Sequence, residues 1–163
     1  MLTIRPALPS DAVALQALAR AIWNAVYPSI ITQAQIDFML EQMYNPAQIV
    51  TEMQGGIRWE WVEFDGVAIG FISTLIENGD TLKVSKIYLD PSHHGKGFGQ
   101  EILNHIEASA RCVGATSIYL FVNRSNHRAV KAYKRAHYEI VATLDQPFGS
   151  FVLNDFKMQK RLS

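Results

Sequence analysis

The stretch His93-His94-Gly95-Lys96-Gly97-Phe98-Gly99-Gln100 sets three glycines at alternate positions, after a β-branched and aromatic run and before a helical apolar pattern. A strand must therefore pass to a helix through a loop whose backbone can take positive φ and come close to a ligand. Successive N–H groups in such a loop converge on one point, which lies at the positive end of the following helix dipole. The combination is an anion site, and a diphosphate is the expected occupant. Downstream, Phe98, Ile102, Leu103, Ile106 and Ala110 share one helix face, Gly114 ends the helix, and 117–122 reads as a buried strand. Strand, loop, helix and strand at this spacing make a right-handed parallel crossover.

Upstream the pattern is different. Leu2 and Ile4 alternate as in a strand, and Pro9-Ser10-Asp11 is a helix start in which Ser10 is expected to cap free N–H groups and Asp11 to face the helix dipole. Leu15, Leu18, Ala19, Ile22 and Val26 follow at helical spacing up to Pro28; Ile36, Met39, Leu40 and Met43 repeat it until Asn45-Pro46 closes the run. The period then falls to two. Segments 57–64 and 67–76 are strands joined by the hairpin turn Asp65-Gly66, and 82–89 is the third strand of an antiparallel meander that Asp90-Pro91 stops. A short helix over 126–135 and strands near 138–144 and 151–158 complete the chain. No repeat, linker or compositional break divides it, so one domain over 1–163 is expected.

Composition removes several function classes. Fifteen basic residues balance fifteen acidic ones in 163, so no global field attracts nucleic acid or an anionic membrane. The N-terminus lacks the basic-then-apolar order of a signal peptide and no apolar run is long enough for a bilayer, which points to the cytoplasm. The single cysteine, Cys112, has no partner for an internal disulfide and is expected to be a small buried apolar residue at a helix end. His93, His94 and His105 offer ring nitrogens, but adjacent histidines on a turn, with no Cys or carboxylate cluster, do not give tetrahedral geometry; no metal is expected. Trp59 and Trp61 share one strand face and are expected in the core.

Two familiar phosphate loops fail on spacing. A dinucleotide fingerprint would need glycine at position 100 or 102, where Gln100 and Ile102 stand, and a Walker loop would need Ser or Thr where Gly97 follows Lys96. The loop instead resembles that of the GCN5-related N-acetyltransferases, the GNAT family, whose Arg/Gln-x-x-Gly-x-Gly/Ala signature falls on His94, Gly97 and Gly99. Lys86-Ile87-Tyr88-Leu89-Asp90-Pro91 resembles the family's fourth strand, Asn126-His127-Arg128-Ala129-Val130 with Tyr133 and Tyr138 its second motif, and 152–160 its last strand. Three positions depart from the pattern. His94 replaces Arg or Gln, Ala132 stands where an aromatic is common, and His137 occupies the usual helix-ending glycine, a site that requires positive φ.

The resemblance implies an α/β (α+β) fold with a mixed, mainly antiparallel sheet of six to seven strands, helices on both faces, and a splayed parallel pair at strands four and five, 82–89 and 117–122. It implies acetyl-CoA as cosubstrate, with pantetheine pairing to the backbone of Ile87, Tyr88 and Leu89. The pyrophosphate would lie on His94, Gly95, Lys96, Gly97, Phe98, Gly99 and Gln100, and Asn126 would contact pantetheine. An alkyl ammonium of pKa near ~10.4 is only about one part in a thousand neutral at pH 7, so a base must act before attack. The leaving thiolate needs an acid, and Tyr133, a phenol of pKa roughly 10, is the residue expected to supply it. Glu60, Glu63 or a water chain are the candidates for the base. Tyr27, Asp37, Glu41 and Tyr44 would form an amphipathic, mildly acidic mouth for the acceptor. That acceptor is a small polyamine first, then a protein N-terminus or lysine, then an antibiotic. A homodimer through the final strands fits the same resemblance. The rival readings are a non-catalytic acyl-CoA-binding module, which would keep the glycine loop without the acid, and a nucleotide binder.

Overall fold

Alternation and helical spacing resolve, in the computed structural model, into β1 (Leu2–Pro6), α1 (Ala12–Val26), α2 (Gln33–Tyr44), α3 (Pro46–Gln54), β2 (Arg58–Phe64), β3 (Val67–Glu77) and β4 (Thr81–Leu89). They are followed by α4 (Phe98–Cys112), β5 (Ser117–Asn123), α5 (His127–Arg135), β6 (Glu139–Phe148) and β7 (Phe151–Arg161); all 163 residues are described. The strands form one seven-stranded sheet in the order β1-β2-β3-β4-β5-β7-β6. The ladder between β4 and β5 is parallel and pairs Thr81 with Ser117 through Val84 with Leu120. β4 then runs on to Leu89 beyond the end of that ladder, whereas β5 stays paired to β7 over its whole length, from Ser117↔Arg161 to Asn123↔Asp155. No helix is long and apolar enough to cross a membrane.

The chain divides into two compact units. Met1–Thr74 with Lys86–Phe98 make the first, and Leu75–Ser85 with Gly99–Ser163 the second. The first is built around aromatic rings: Tyr44, fully buried, lies 5.8 Å from Trp23, 6.1 Å from Trp59 and 5.7 Å from Phe71, centroid to centroid. Trp59 and Trp61 are both buried, as their strand spacing predicts. The second has an aliphatic core that includes Leu82, Val84, Ile102, Ile106, Ile118, Leu120 and Met158.

Four local expectations change. Ser10 caps nothing: Pro9–Asp11 is a 3-10 turn, and Asp11 at the N-cap of α1 sends its carboxylate back to accept from the Leu8 N–H at 2.8 Å. Asn45-Pro46 closes α2 but also opens α3. The Asn45 side chain accepts from the Gln48 N–H at 2.8 Å and Pro46 takes the first helical position, where its missing N–H costs nothing. Cys112 does end a helix but is exposed, because the apolar stripe of α4 closes at Ala110. β6 and β7 run to Phe148 and Arg161, several residues past their expected ends. Pro147 in β6 is compatible with pairing because β6 is the last strand in the order.

The expected positive φ at the end of α5 is present, with His137 at 72°. Left-handed backbone costs an L-residue roughly 1–2 kcal/mol, partly offset by the entropy that glycine loses on folding. His137→Gly is therefore expected to stabilise the chain by about 1 kcal/mol, raising Tm by about 2–4 °C in a calorimetric scan. Gly70→Ala should do the opposite, because a Cβ there would press into the backbone carbonyl of Tyr88.

Candidate functional site

The site begins where β4 stops. The Asp90 N–H donates to the Ile69 carbonyl at 2.7 Å, and the Asp90 carboxylate accepts from both the N–H and the hydroxyl of Ser92 at 2.9 Å. These bonds, the Ser92 backbone first, hold the Asp90 carboxyl below the usual carboxylate range. They wind 91–93 into one 3-10 turn and deliver the chain to the glycines. His94 Nε2 lies 3.0 Å from the Leu89 carbonyl; a carbonyl only accepts, so Nε2 carries the proton and the ring fastens the loop to the strand. In the sequence Asp90 reads only as a strand stop. The Asp-Pro-Ser order, with a carboxylate two residues ahead of a free N–H, is the signal for its capping role.

Gly95 and Gly97 have φ of 77° and 82°, and an added Cβ at Gly95, Gly97 or Gly99 would meet no atom within 4 Å. The glycines therefore front an open cradle, and the left-handed turns between them aim backbone N–H groups in the manner of an anion nest. Phe98 starts α4 and sets its ring 5.0 Å from Phe64, which anchors the first helical turn. His93 packs its ring 6.1 Å from Phe64 with Nδ1 buried and unpartnered. Lys96 is exposed, and the Gln100 amide donates to Asn104 at 2.9 Å. A pyrophosphate fits this donor set, since the cradle is made of main chain at a helix N-terminus with one lysine at its rim.

Ile87, Tyr88 and Leu89 occupy the β4 segment beyond the parallel ladder and are partly exposed. The Tyr88 hydroxyl is 3.0 Å from that of Tyr27, and its ring is 5.6 Å from Trp23. The residues expected at the acceptor mouth lie deeper than the sequence implied. Tyr44 has no exposed surface, Glu60 is 2% exposed with Arg58 at 3.3 Å, and Tyr27 is 8% exposed. Burial also pushes the Tyr44 hydroxyl pKa well up. Tyr27 and Tyr44 both pack on Trp23 in the aromatic core of the first unit, whereas Glu60, between Trp59 and Trp61 on β2, faces the other side of the sheet. Glu63 forms a two-pronged pair with Arg5 at 2.8 and 3.3 Å.

In the second unit Asn126 is the N-cap of α5, its side-chain oxygen accepting from the Ala129 N–H at 3.3 Å, which leaves its amide donors for a ligand. Tyr133 lies on the buried side of α5, 8% exposed, with its ring 6.0 Å from that of Tyr138. Burial pushes the Tyr138 hydroxyl pKa up.

The family model described as the acetyltransferase (GNAT) family matches residues 20–138. The chain belongs to the GNAT family. An uncharacterised N-acetyltransferase of Mycobacterium tuberculosis is 30% identical over 98 residues, 60% of this chain and 63% of that protein. This GNAT chain thus spans somewhat less than two thirds of the length of that relative. A mycothiol acetyltransferase of Propionibacterium freudenreichii is 32% identical over 81 residues, 48% of this chain and 26% of that one. Among solved structures, the PaiA N-acetyltransferase of Thermoplasma acidophilum in complex with coenzyme A superimposes with a TM-score of 0.83 over 99% of both chains at 23% identity, a likeness of fold.

Gly97→Ala in this GNAT chain would force a side chain to φ near 82° and place a methyl group in the cradle. Its affinity for coenzyme A, measured by isothermal titration calorimetry, is expected to fall on the order of tenfold or more, about 1.4 kcal/mol, with little change in secondary structure by circular dichroism.

Proposed function

We propose that the chain transfers the acetyl group of acetyl-CoA to the nitrogen of a primary amine by direct attack. The observation that carries this reading is the open glycine cradle at the start of α4, reached directly from a strand end whose backbone extends past the end of its parallel ladder. Membership of the GNAT family supports it, as does a fold shared with a neighbour solved with coenzyme A. On this reading the N–H groups of 95–99 hold the pyrophosphate, with Lys96 adding charge at the rim. The backbone of Ile87, Tyr88 and Leu89 receives the pantetheine amides as an added strand would, and the Asn126 amide completes that contact.

The chemistry then needs three things from the protein. The ammonium must lose a proton, a backbone N–H on β4 must stabilise the oxyanion, and the departing sulfur must receive a proton. Tyr133 is the proposed donor to sulfur. The ammonium first gives one proton to the base; as its nitrogen then forms the new amide bond and the thioester C–S bond breaks, the nitrogen loses a second proton and the sulfur gains one, so one proton is released to solvent per turnover. The acceptor is a small primary amine, with a polyamine as the first class from resemblance and a protein amine as the second.

Thiol release from acetyl-CoA, followed across an amine panel, tests this directly. Tyr133→Phe is expected to lower kcat by roughly 10²–10⁴ while leaving the Kd for coenzyme A within twofold. Tight coenzyme A binding with no amine acetylated under any condition would assign the chain to the non-catalytic acyl-CoA-binding class instead.

A further inference from the structure

In the second unit, one face of β4, β5 and β7 carries two rings and two cations in a diagonal arrangement. Lys83 is the register partner of Tyr119 but sets its ammonium over Phe121, 5.5 Å from the ring centroid. Lys157 is the register partner of Phe121 but sets its ammonium over Tyr119, 4.5 Å from the centroid. The two rings stand edge to face, 5.7 Å apart, and all four residues are partly exposed.

Lys86 and Lys160 reach carboxylates, Glu52 at 3.5 Å and Glu107 at 2.6 Å. Lys83 and Lys157 have no carboxylate within salt-bridge distance and rest on aromatic faces instead. Of the acidic groups nearby, Glu77 accepts a hydrogen bond from the Tyr119 hydroxyl at 2.5 Å, and Asp155, whose register partner is Asn123, is withdrawn from water, which raises its carboxyl pKa and disfavours its charge. The face therefore combines two uncommitted ammonium groups with flat apolar surface. Ring quadrupoles hold those ammonium groups without neutralising them.

We infer that Lys83, Lys157, Tyr119 and Phe121 form the acceptor-selecting face of the second unit, and that the acceptor is an amine carrying a carboxylate at its far end. The inference rests on the proposed acetyl transfer for the role of the amine, and on the charge of this face for the carboxylate. Lys83 stands four residues ahead of Ile87 on the same strand, so the face is continuous in the chain with the segment proposed to hold the cofactor arm. A polyamine would meet two like charges here, and repulsion of that kind discriminates between partners as effectively as an added contact. The inferred acceptor therefore differs from the polyamine that resemblance alone puts first.

Three amines of equal carbon number provide the test: butylamine, 4-aminobutyrate and putrescine, whose fourth carbon is a methyl, a carboxylate or an aminomethyl group. The wild-type protein is expected to favour 4-aminobutyrate over butylamine on the order of tenfold in kcat/KM, with putrescine last. In the double variant Lys83→Met, Lys157→Met that preference should fall to within about threefold, with the KM for acetyl-CoA unmoved, and Lys→Arg at both positions should restore it. Putrescine equal to or better than 4-aminobutyrate, or a preference that survives the double Met variant, would overturn the inference. If no amine turns over, the transfer reading has failed and binding decides separately. Titration of 4-aminobutyrate should then shift the amide resonances of Lys83 and Lys157 in wild type and not in the double variant; unchanged wild-type resonances would overturn the inference.

Discussion

The turn at the end of β4 depends on Asp90. Its N–H is bound to the Ile69 carbonyl at 2.7 Å and its carboxylate to Ser92, so one residue both terminates the pairing with β3 and shapes the exit toward the glycines. β3 is adapted to this on its own side. Its register with β2 shifts between Val62 and Glu63, so that Val62 faces Gly70 and Glu63 faces Ala68, and Ile69 is the extra residue of a bulge. The bulged residue is the one whose carbonyl receives Asp90. Next to it, Gly70 lets the Tyr88 carbonyl approach more closely than any side chain would permit. The direction in which the glycine loop leaves the sheet is thus set by two backbone contacts with β3 and by the Asp90 carboxylate, and His94 fastens it through Leu89.

A second device acts on the same strand from within the first unit. Lys86 is 6% exposed, its ammonium 3.5 Å from Glu52 and 4.9 Å and 5.6 Å from the rings of Trp59 and Tyr44. Burying an ammonium costs several kcal/mol, and a pair of this kind often contributes no more than apolar residues of the same volume. Its consequence is directional. With Glu52 on α3 and Trp59 on β2 holding the charge, 86–89 cannot slide along its neighbours without drawing a buried ammonium away from its half-buried carboxylate. The proposed pairing of this strand with a ligand's amides would gain from this, since a fixed backbone loses little freedom on binding.

How much of this the sequence reveals differs by element. The glycine loop, the Asp65-Gly66 hairpin and the crossover helix are local patterns, and each is found where its residues place it. The positive φ of His137 was legible too, because the end of a helix imposes a backbone requirement whatever residue fills it. α3 was not, because Asn45-Pro46 is a stop for one helix and a start for the next, and only the hydrogen bond to Gln48 separates the two. The burial of Tyr44 and Glu60 escaped for a different reason. A carboxylate on a strand reads as solvated, and only its burial in the folded sheet beside Arg58 shows otherwise. The face of Lys83 and Lys157 was hidden by topology: Ile118-Tyr119-Leu120-Phe121-Val122 reads as one continuous apolar run, and β7 enters between β5 and β6 out of chain order, so the register of Phe121 with Lys157 has no local signal.

The two halves of the proposed reaction are thus recognised by different kinds of group. Phosphate and pantetheine would be met by main-chain N–H and C=O, whose placement depends on φ at Gly95 and Gly97 and not on which side chains flank them. That is why His94 can stand in the position of an Arg or Gln without closing the cradle. The acceptor would be met by side chains on the sheet face, where exchanging a lysine for a carboxylate reverses the charge offered without disturbing a single ladder hydrogen bond. A backbone-built cofactor site is therefore readable from glycine spacing across distant sequences, while acceptor choice resides in a few residues that neither the loop nor the shared fold constrains. Family membership can consequently identify the chemistry of the thioester while leaving the amine to be read from Lys83, Tyr119, Phe121 and Lys157.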